Sequence, residues 1–441
     1  MKKKIMIGFL IPLVFCVINY LILSVPFNFI EVIMITLVGF ISMYNYGKYK
    51  DYLNPLVYFP VLYFLIYWMG DFNFGLGYEP TNNTMWFYYL LGLAGFYSGA
   101  LIVVKIKINK HTKRDEDDFL KGDTRIIFFI IYLICIACKC MAFSISGIPL
   151  LVRNIDATRQ IMGETTGIFK VISSAHTILA VFFFYDIISR KVNNKKIKYS
   201  SVVVIIISIT ISLLEMSRLL LIQMFIPMLF IYTLKYKRIK LKNIMKAAFI
   251  VLFLIGGIKF LRNILENPLY FDYVIKNRNS NIFANIFLSG FNSFRVAIDD
   301  FRLLIEVVPK HSDYTYGKMF LNSVFSFLPG KQVVMGYYVA ELLRMSFDGI
   351  GAATTILGMF YLDGGPILIY FGMMLFSIFI YRNYIKYIKD SNIDIYSLVG
   401  VYVIYYSIFA LRTNVMPTIE PLLFIFYYSL FGYLVRVTRK K

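Results

Sequence analysis

Two arginines stand six residues apart in the polar segment 146–167, and their chemistry indicates an anion clamp. Arg153 and Arg159 follow an apolar run that ends at a glycine and a proline. The planar guanidinium group of arginine binds phosphate oxygens in pairs and stays charged at any physiological pH. The pair therefore indicates a site for a diphosphate or an anionic sugar. The alternative is a loop in which the arginines pair with Asp156 or Glu164.

A third arginine, Arg218, ends a tight turn between two apolar runs, directly after Glu215-Met216-Ser217. Two arrangements are open for it. Arg218 pairs with Glu215, or the turn points inward and adds a third cation near the membrane surface. Lys139 lies within another apolar run, where ionisable groups are functional candidates. Its long side chain also allows it to reach the interface.

Residues 294–308 have helical periodicity, with apolar side chains on one face and charges on the other. Arg295 and Asp299 form an i,i+4 pair, whereas Asp300 has no partner at that spacing. We expect a helix that lies on the membrane or roofs a cavity, with Arg295 as a further candidate cation. The alternative is a salt-bridged face in contact with water.

His311 is the only histidine in the predicted outer segments and is a candidate base. A histidine titrates near neutral pH, although a single histidine in a loop is more often a surface residue. The chain contains no nucleotide-binding or metalloprotease motif, and the three cysteines at 135–140 are interpreted as buried thiols. We therefore expect neither a metal nor a cofactor.

The composition of the chain indicates the environment, water or lipid, in which these residues lie. Of the 441 residues, 59% are hydrophobic and only 16% are charged, and the mean hydropathy is +0.68. Soluble domains carry about 25% charged residues, so this chain is neither a soluble enzyme nor a disordered protein. We predict an all-α polytopic membrane protein with about twelve transmembrane helices. The predicted spans are 5–24, 28–45, 53–70, 85–104, 126–145, 167–188, 199–214, 218–234, 246–263, 365–383, 396–411 and 421–437.

The net charge of +21 reports the orientation of these spans. Segments on the N-terminal side of the membrane hold 30 of the 46 lysines and arginines and carry the whole net charge. Basic loops face the cytoplasm, so both termini are expected there, and the charge needs no nucleic-acid partner. The spans divide the chain into helices 1–9 (1–263), a large non-cytoplasmic loop with short amphipathic helices (264–364), and helices 10–12 (365–441).

With these features in place, the chain resembles the Wzy-type polymerases of bacterial O-antigens and capsules, which join oligosaccharide repeat units. Four short motifs carry the resemblance, and each stands at the outer end or the start of a predicted span. They are Asn54-Pro55 with the aromatic residues Tyr58, Phe59, Tyr63, Phe64 and Tyr67; Gly147-Ile148-Pro149-Leu150-Leu151 before Arg153 and Arg159; Ser217-Arg218; and Tyr316-Gly317 followed by Pro329, Gly351 to Thr355, Leu357-Gly358, Tyr361 and Gly365.

The resemblance implies a glycosyltransferase of the bacterial inner membrane that acts on undecaprenyl-diphosphate-linked oligosaccharides at the outer face. Arg153, Arg159, Arg218 and Arg295 would bind the departing diphosphate, and His311, Asp299 or Asp300 would act as the base. A chain-length regulator would be a possible partner. Two alternatives stay open: an O-antigen ligase, which shares the layout, and a lipid-linked oligosaccharide flippase. A flippase should show two similar halves and short loops, whereas this chain has one very long outer loop.

Overall fold

The computed structural model of the protein describes fourteen α-helices. The described residues are 29–49, 51–68, 82–106, 122–152, 155, 158, 161–162, 167–189, 195–236, 241–267, 281–324, 335–344, 352–388, 395–413 and 420–440. The helices are α1 (Phe29–Tyr49), α2 (Pro55–Trp68), α3 (Asn83–Lys105), α4 (Gly122–Ser146), α5 (Gly167–Ser189), α6 (Lys195–Leu214), α7 (Arg218–Tyr236), α8 (Leu241–Glu266), α9 (Ile282–Val307), α10 (Lys318–Val324), α11 (Met335–Leu342), α12 (Thr355–Asn383), α13 (Ile395–Arg412) and α14 (Glu420–Lys440). The predicted all-α class is confirmed for this part of the chain.

Among the described residues, six helices are long and apolar enough to cross a membrane, which supports a helical membrane protein. They comprise most of α1, α3, α4, α5, α7 and α12, and four shorter apolar helices lie in α2, α6, α13 and α14. Ile126, Ile130 and Leu133 on α4 each expose about half or more of their side chain. A continuous apolar stripe of this kind is stable in contact with lipid.

One of the predicted spans differs from the observed helix, and another cannot be compared. The span 246–263 lies within α8. The span 365–383 belongs to α12, which begins ten residues earlier, at Thr355. Gly364 and Gly365 interrupt the helix with non-helical backbone angles, and Pro366 lacks the N–H that a straight helix needs there. The first span, 5–24, lies outside the described residues.

Side-chain contacts at the two ends of α4 show that neighbouring helices alternate in direction. Near its start, Arg125 lies 3.5 Å from Asp186, close to the end of α5, and donates a hydrogen bond to Ser201, near the start of α6. Near its end, the Lys139 ammonium lies 2.6 Å from Glu215, just after α6. The helices α4 to α7 therefore run alternately up and down.

Glycines allow two helix pairs to approach at backbone distance. On α3, a Cβ at Gly95 or Gly99 would overlap carbonyl oxygens of α12. On α8, a Cβ at Gly256 would overlap the carbonyl oxygen of Ile286 on α9, and Gly290 lies against α8 from the other side. Small residues at such contacts are typical of helix pairs in membranes. The second pair fixes α9 against α8.

The helix α9 is longer than the predicted 294–308 and differently placed. It begins at Ile282 with an Asn281 cap and contains 26 residues, about 39 Å at 1.5 Å per residue. The alternative of a salt-bridged face in contact with water is wrong for the middle of the helix, because Arg295, Asp299 and Asp300 are all buried. Within the predicted loop 264–364 the chain also forms two short helices, α10 and α11.

Candidate functional site

The middle of α9 carries a buried polar stripe. Ser293 and Asp300 stand seven residues apart, so they lie on the same side of the helix. They are 2% and 4% exposed, respectively, and Arg295 is 2% exposed. Polar groups are rarely buried to this degree without partners, and the partners here come from α9 itself and from three other parts of the chain.

Two arginines from distant helix ends bind Ser293. Arg218, the first residue of α7, donates from Nη1 to Ser293 Oγ at 2.9 Å. Arg412, the last residue of α13, donates from Nε to the Ser293 carbonyl oxygen at 2.9 Å. The start of α7 and the end of α13 therefore meet on one face of α9.

Asp300 completes this group as a buried carboxylate beside two donors. Its Oδ2 accepts a hydrogen bond of 3.0 Å from the backbone N–H of Ala353, two residues before α12. Burial raises the pKa of Asp300 to about 7; the Ala353 N–H lowers it, Asp299 raises it and Arg412 lowers it. A carboxylate that titrates near neutral pH can accept a proton and release it again.

Asp299 is placed differently from its neighbour. Its Oδ2 accepts a hydrogen bond of 3.1 Å from Arg295 Nε, which confirms the predicted i,i+4 pair. Burial raises the pKa of Asp299 from its ordinary value, and the charges of Arg295 and Arg302 oppose that effect. Arg295 and Asp299 therefore neutralise each other, and Asp300 is the carboxylate that faces the other cations.

The neighbouring helix α8 adds two further cations to this face. Arg262 lies 3.9 Å from Glu266. The Lys259 ammonium experiences repulsion from Arg218, Arg412 and Arg262, and none of the described residues accepts a hydrogen bond from it. Among the described residues near Arg412, Arg218 and Lys259 are further half-buried cations, and Asp300 is a carboxylate that offsets part of the charge. Charges with limited access to water are more stable beside a counter-ion, so this arrangement is suited to an anion.

A narrow apolar crevice, with internal space for about one water molecule, begins at Arg218 and lies between α7 and α8. Arg218 is its one charged lining residue. The other lining residues are Leu221, Ile222, Phe225, Leu254, Ile255 and Ile258. The crevice therefore places Arg218 at the end of an apolar wall.

The turn before α7 positions Arg218. Glu215 is held by Lys139, whose Nζ lies 2.6 Å from Glu215 Oε2 with both side chains buried. Met216 adopts the left-handed conformation with φ 51°, and Ser217 Oγ accepts a weak hydrogen bond of 3.5 Å from Leu220 N–H. Of the two arrangements open from the sequence, the structure has the inward turn, because Lys139 pairs with Glu215 and Arg218 reaches α9.

The predicted site residues that the structure describes divide into three groups. Arg218 and Asp300 converge on the same side of α9, while Arg295 and Asp299 pair with each other on that helix. His311 is exposed in the turn beyond the end of α9, and that end is about 10 Å along the helix axis from Asp300.

Arg153 and Arg159 lie outside the described residues. Among their neighbours, the described Ile155, Thr158 and Met162 are buried. The 3₁₀ turn Pro149–Leu151 packs against α6. The segment that leads to these arginines therefore starts beside α6, the helix that precedes the turn at Arg218.

Sequence reasoning missed Arg412 and Lys259. Arg412 looks like an ordinary arginine at the end of a span, and Lys259 lies inside the predicted span 246–263. One signal was available for both: each is a basic residue near the non-cytoplasmic end of a predicted helix, against the positive-inside bias.

The fold and this arrangement define a class: a helical membrane protein with a half-buried group of cations near one buried carboxylate of raised pKa. No protein-family model matches the chain, and no curated protein or solved structure matches it either. Among the described residues, no group of three or more histidine, cysteine, aspartate or glutamate side chains could hold a metal ion.

Proposed function

We propose that the protein is a glycosyltransferase that polymerises oligosaccharide repeat units carried on undecaprenyl diphosphate. One observation carries the proposal. Arg218, Lys259 and Arg412 come from three helices to the face of α9 that bears Asp300, beside an apolar crevice. A lipid diphosphate has the matching parts, namely an anionic head, a long hydrocarbon tail and a sugar to transfer.

The cations would act on the leaving group. As the bond between the anomeric carbon and the diphosphate oxygen breaks, negative charge grows on the diphosphate. Fixed donors aimed at growing charge are the largest source of rate enhancement in many enzymes, with about 100- to 1,000-fold for one donor. Because the diphosphate already activates the sugar, no nucleotide is needed, in keeping with the absence of nucleotide motifs from the sequence.

Asp300 is the base that the geometry favours. A hydroxyl group of the acceptor sugar would attack the anomeric carbon, form the new glycosidic bond and give its proton to the Asp300 carboxylate. Asp299 is less suitable because Arg295 holds its Oδ2. His311 is less suitable because it lies beyond the end of α9.

The proposed topology places this chemistry outside the cell. Ten apolar helices agree in position with predicted spans, and the spans 5–24 and 246–263 complete the proposed twelve. With the basic loops in the cytoplasm, both termini face inward and the pocket faces the outer side of the bacterial plasma membrane. A chain-length regulator is the proposed partner there.

The test is deletion of the gene in its native host, followed by complementation and sizing of lipid-linked and surface glycans. We expect single repeat units in place of a ladder, and restoration of the ladder by the wild-type chain. Complete polymer held on the lipid carrier would indicate a ligase instead. Units trapped on the cytoplasmic leaflet would indicate a flippase and overturn the proposal.

Point variants test the site itself. Arg412→Gln should insert at the wild-type level and leave single repeat units. The matched control is Arg382→Gln, since Arg382 is an exposed arginine near the C-terminal end of α12. The sequence further predicts that Arg153→Ala or Arg159→Ala abolishes polymer without loss of insertion. Normal ladders in all three site variants would refute the diphosphate role of these arginines.

A further inference from the structure

Four tyrosines form a graded cluster, here called the tyrosine platform, next to the polar face of α9. They are Tyr88 on α3, Tyr314 and Tyr316 in the turn after α9, and Tyr361 on α12. Ring centroids lie 5.3 Å apart for Tyr88 and Tyr361, 6.0 Å for Tyr314 and Tyr361, and 6.4 Å for Tyr314 and Tyr316. Tyr361 is buried, Tyr88 and Tyr314 are half-buried, and Tyr316 is 76% exposed. The platform therefore leads from the interior to the surface.

Its inner end contacts the part of α9 that follows Asp300. The ring of Tyr361 lies 6.0 Å from that of Phe301, edge to face, and Phe301 directly follows Asp300. The Tyr361 hydroxyl donates a hydrogen bond of 2.8 Å to the carbonyl oxygen of Val308, at the end of α9. The platform and Asp300 are thus held by the same helix.

The outer end is fixed by a buried carboxylate. Asp363 Oδ1 accepts hydrogen bonds from the Thr315 hydroxyl and from the Gly317 N–H, on either side of Tyr316. The Thr315 N–H donates to the Leu362 carbonyl oxygen at 2.9 Å. Tyr316 has φ 49°, a conformation that a bulky residue rarely adopts and that the surrounding contacts must hold. The chain thus keeps a large aromatic ring presented outward.

The surroundings of the platform are polar, unlike the lipid-facing stripe of α4. Lys310, His311 and Asp313 are exposed in the same turn as Tyr314 and Tyr316. Aromatic faces next to hydrogen-bonding side chains suit a ligand that has both C–H faces and hydroxyl groups. A sugar ring has both.

We propose that the tyrosine platform binds the sugar of the acceptor chain and directs its hydroxyl group toward Asp300. This inference rests on the proposed function, because that function supplies the acceptor. The sugar rings stack on Tyr314 and Tyr316, and Lys310, His311 and Asp313 bind their hydroxyl groups. His311 thus contributes to acceptor binding and not to proton transfer.

The experiment uses the full-length protein in lipid nanodiscs and a probe without lipid or diphosphate. The probe is the repeat-unit oligosaccharide released by mild acid from the surface polysaccharide of the native host. Saturation-transfer NMR measures its dissociation constant. Tyr316→Leu keeps an apolar side chain that can contact lipid but loses the flat face, so we expect binding to weaken by about three- to tenfold. Tyr316→Phe should bind as the wild type does.

The matched control is Tyr433→Leu on α14, since Tyr433 is a comparably exposed tyrosine, 59% accessible. It should leave binding unchanged. No binding of the probe to the wild type, or equal binding by Tyr316→Leu, would overturn the inference. Arg412→Gln should bind this probe normally, because the probe has no diphosphate. Failure of the platform can therefore be told apart from failure of the proposed polymerase function.

Discussion

Replacement of Lys259 by methionine should stabilise the empty protein and weaken the binding of its ligand. Lys259 experiences repulsion from Arg218, Arg262 and Arg412, and no described residue accepts a hydrogen bond from it. Methionine has a similar length and no charge, so it fills the same space. The two effects have opposite signs. In the empty pocket the Lys259 charge destabilises the fold, whereas in the occupied pocket it binds the ligand.

The magnitudes follow from the partial burial of the ammonium group. Replacement of poorly compensated buried charges by apolar side chains typically stabilises a protein by about 1–4 kcal/mol. Loss of one hydrogen bond to a charged group costs a ligand about 1.5–3 kcal/mol. At about 1.4 kcal/mol per tenfold change, the dissociation constant should rise about 10- to 150-fold.

The assay is thermal unfolding of the purified protein in detergent, with and without farnesyl diphosphate. A ligand that binds only the folded state raises the midpoint according to its concentration and its dissociation constant. Lys259→Met should therefore unfold at a higher temperature than the wild type when empty, and gain less from the ligand. Lys246→Met is the matched control, because Lys246 is exposed near the start of the same helix.

Two results would refute the reasoning. A lower midpoint for empty Lys259→Met would mean that the ammonium has a stabilising partner. An unchanged gain on addition of farnesyl diphosphate would mean that the pocket around Lys259 does not bind the diphosphate.

Three further predictions concern the elements around the pocket. The folded-state pKa of Asp300 is raised from 3.8 to about 7. Polymerisation should therefore rise with pH through neutrality, because the base must be deprotonated. Folding stability should fall as pH rises from about 4 to about 7, because the unfolded chain loses this proton first. Asp300→Asn should abolish the activity and flatten the stability profile; a pH-rate profile and unfolding curves between pH 5 and 9 check both. Lys139→Met should cost about 3–5 kcal/mol of stability, measured by SDS-unfolding titrations. The double exchange Lys139→Glu with Glu215→Lys should restore part of that loss. Equal stability of Lys139→Met and the wild type would mean that the ion pair does not stabilise the fold. Gly256→Ala should destabilise the protein by about 1–3 kcal/mol, because its Cβ would overlap α9, whereas Gly257→Ala, whose nearest such neighbour would be 3.9 Å away, should not.

The helices were largely predictable because lipid imposes a simple rule on sequence. Apolar runs bounded by charge located α1, α3, α4, α5 and α7 to within a few residues, since each run must satisfy its own backbone hydrogen bonds. The start of α12 was not located, because Thr355 follows a stretch rich in glycine and small residues that resembles a loop. The structure shows a helix there with an interruption at Gly364 and Gly365.

The site was less predictable, and α9 shows why. Periodicity separates the polar side of a helix from its apolar side, but it does not say what faces the polar side. Water and a cationic pocket both favour a residue such as Asp300. The contacts that decide between them join Ser293 to Arg218, 75 residues away, and to Arg412, 119 residues away. A single sequence contains no signal for contacts at that separation.

The charge pattern nevertheless selects the site once near neighbours are considered. Lys139, Arg262 and Arg295 each have an acid within 4 Å, so their charges are largely cancelled where they stand.

Arg412 binds a neutral carbonyl oxygen, and Lys259 has no acceptor among the described residues. In the proposed topology both residues lie near the outer end of a predicted span, against the positive-inside bias, where a poorly compensated charge is costly. Asp300 offsets part of the charge of Arg412. We expect an anionic ligand to offset the rest, and for this reason the pocket is the part of the molecule in which a diphosphate should be sought.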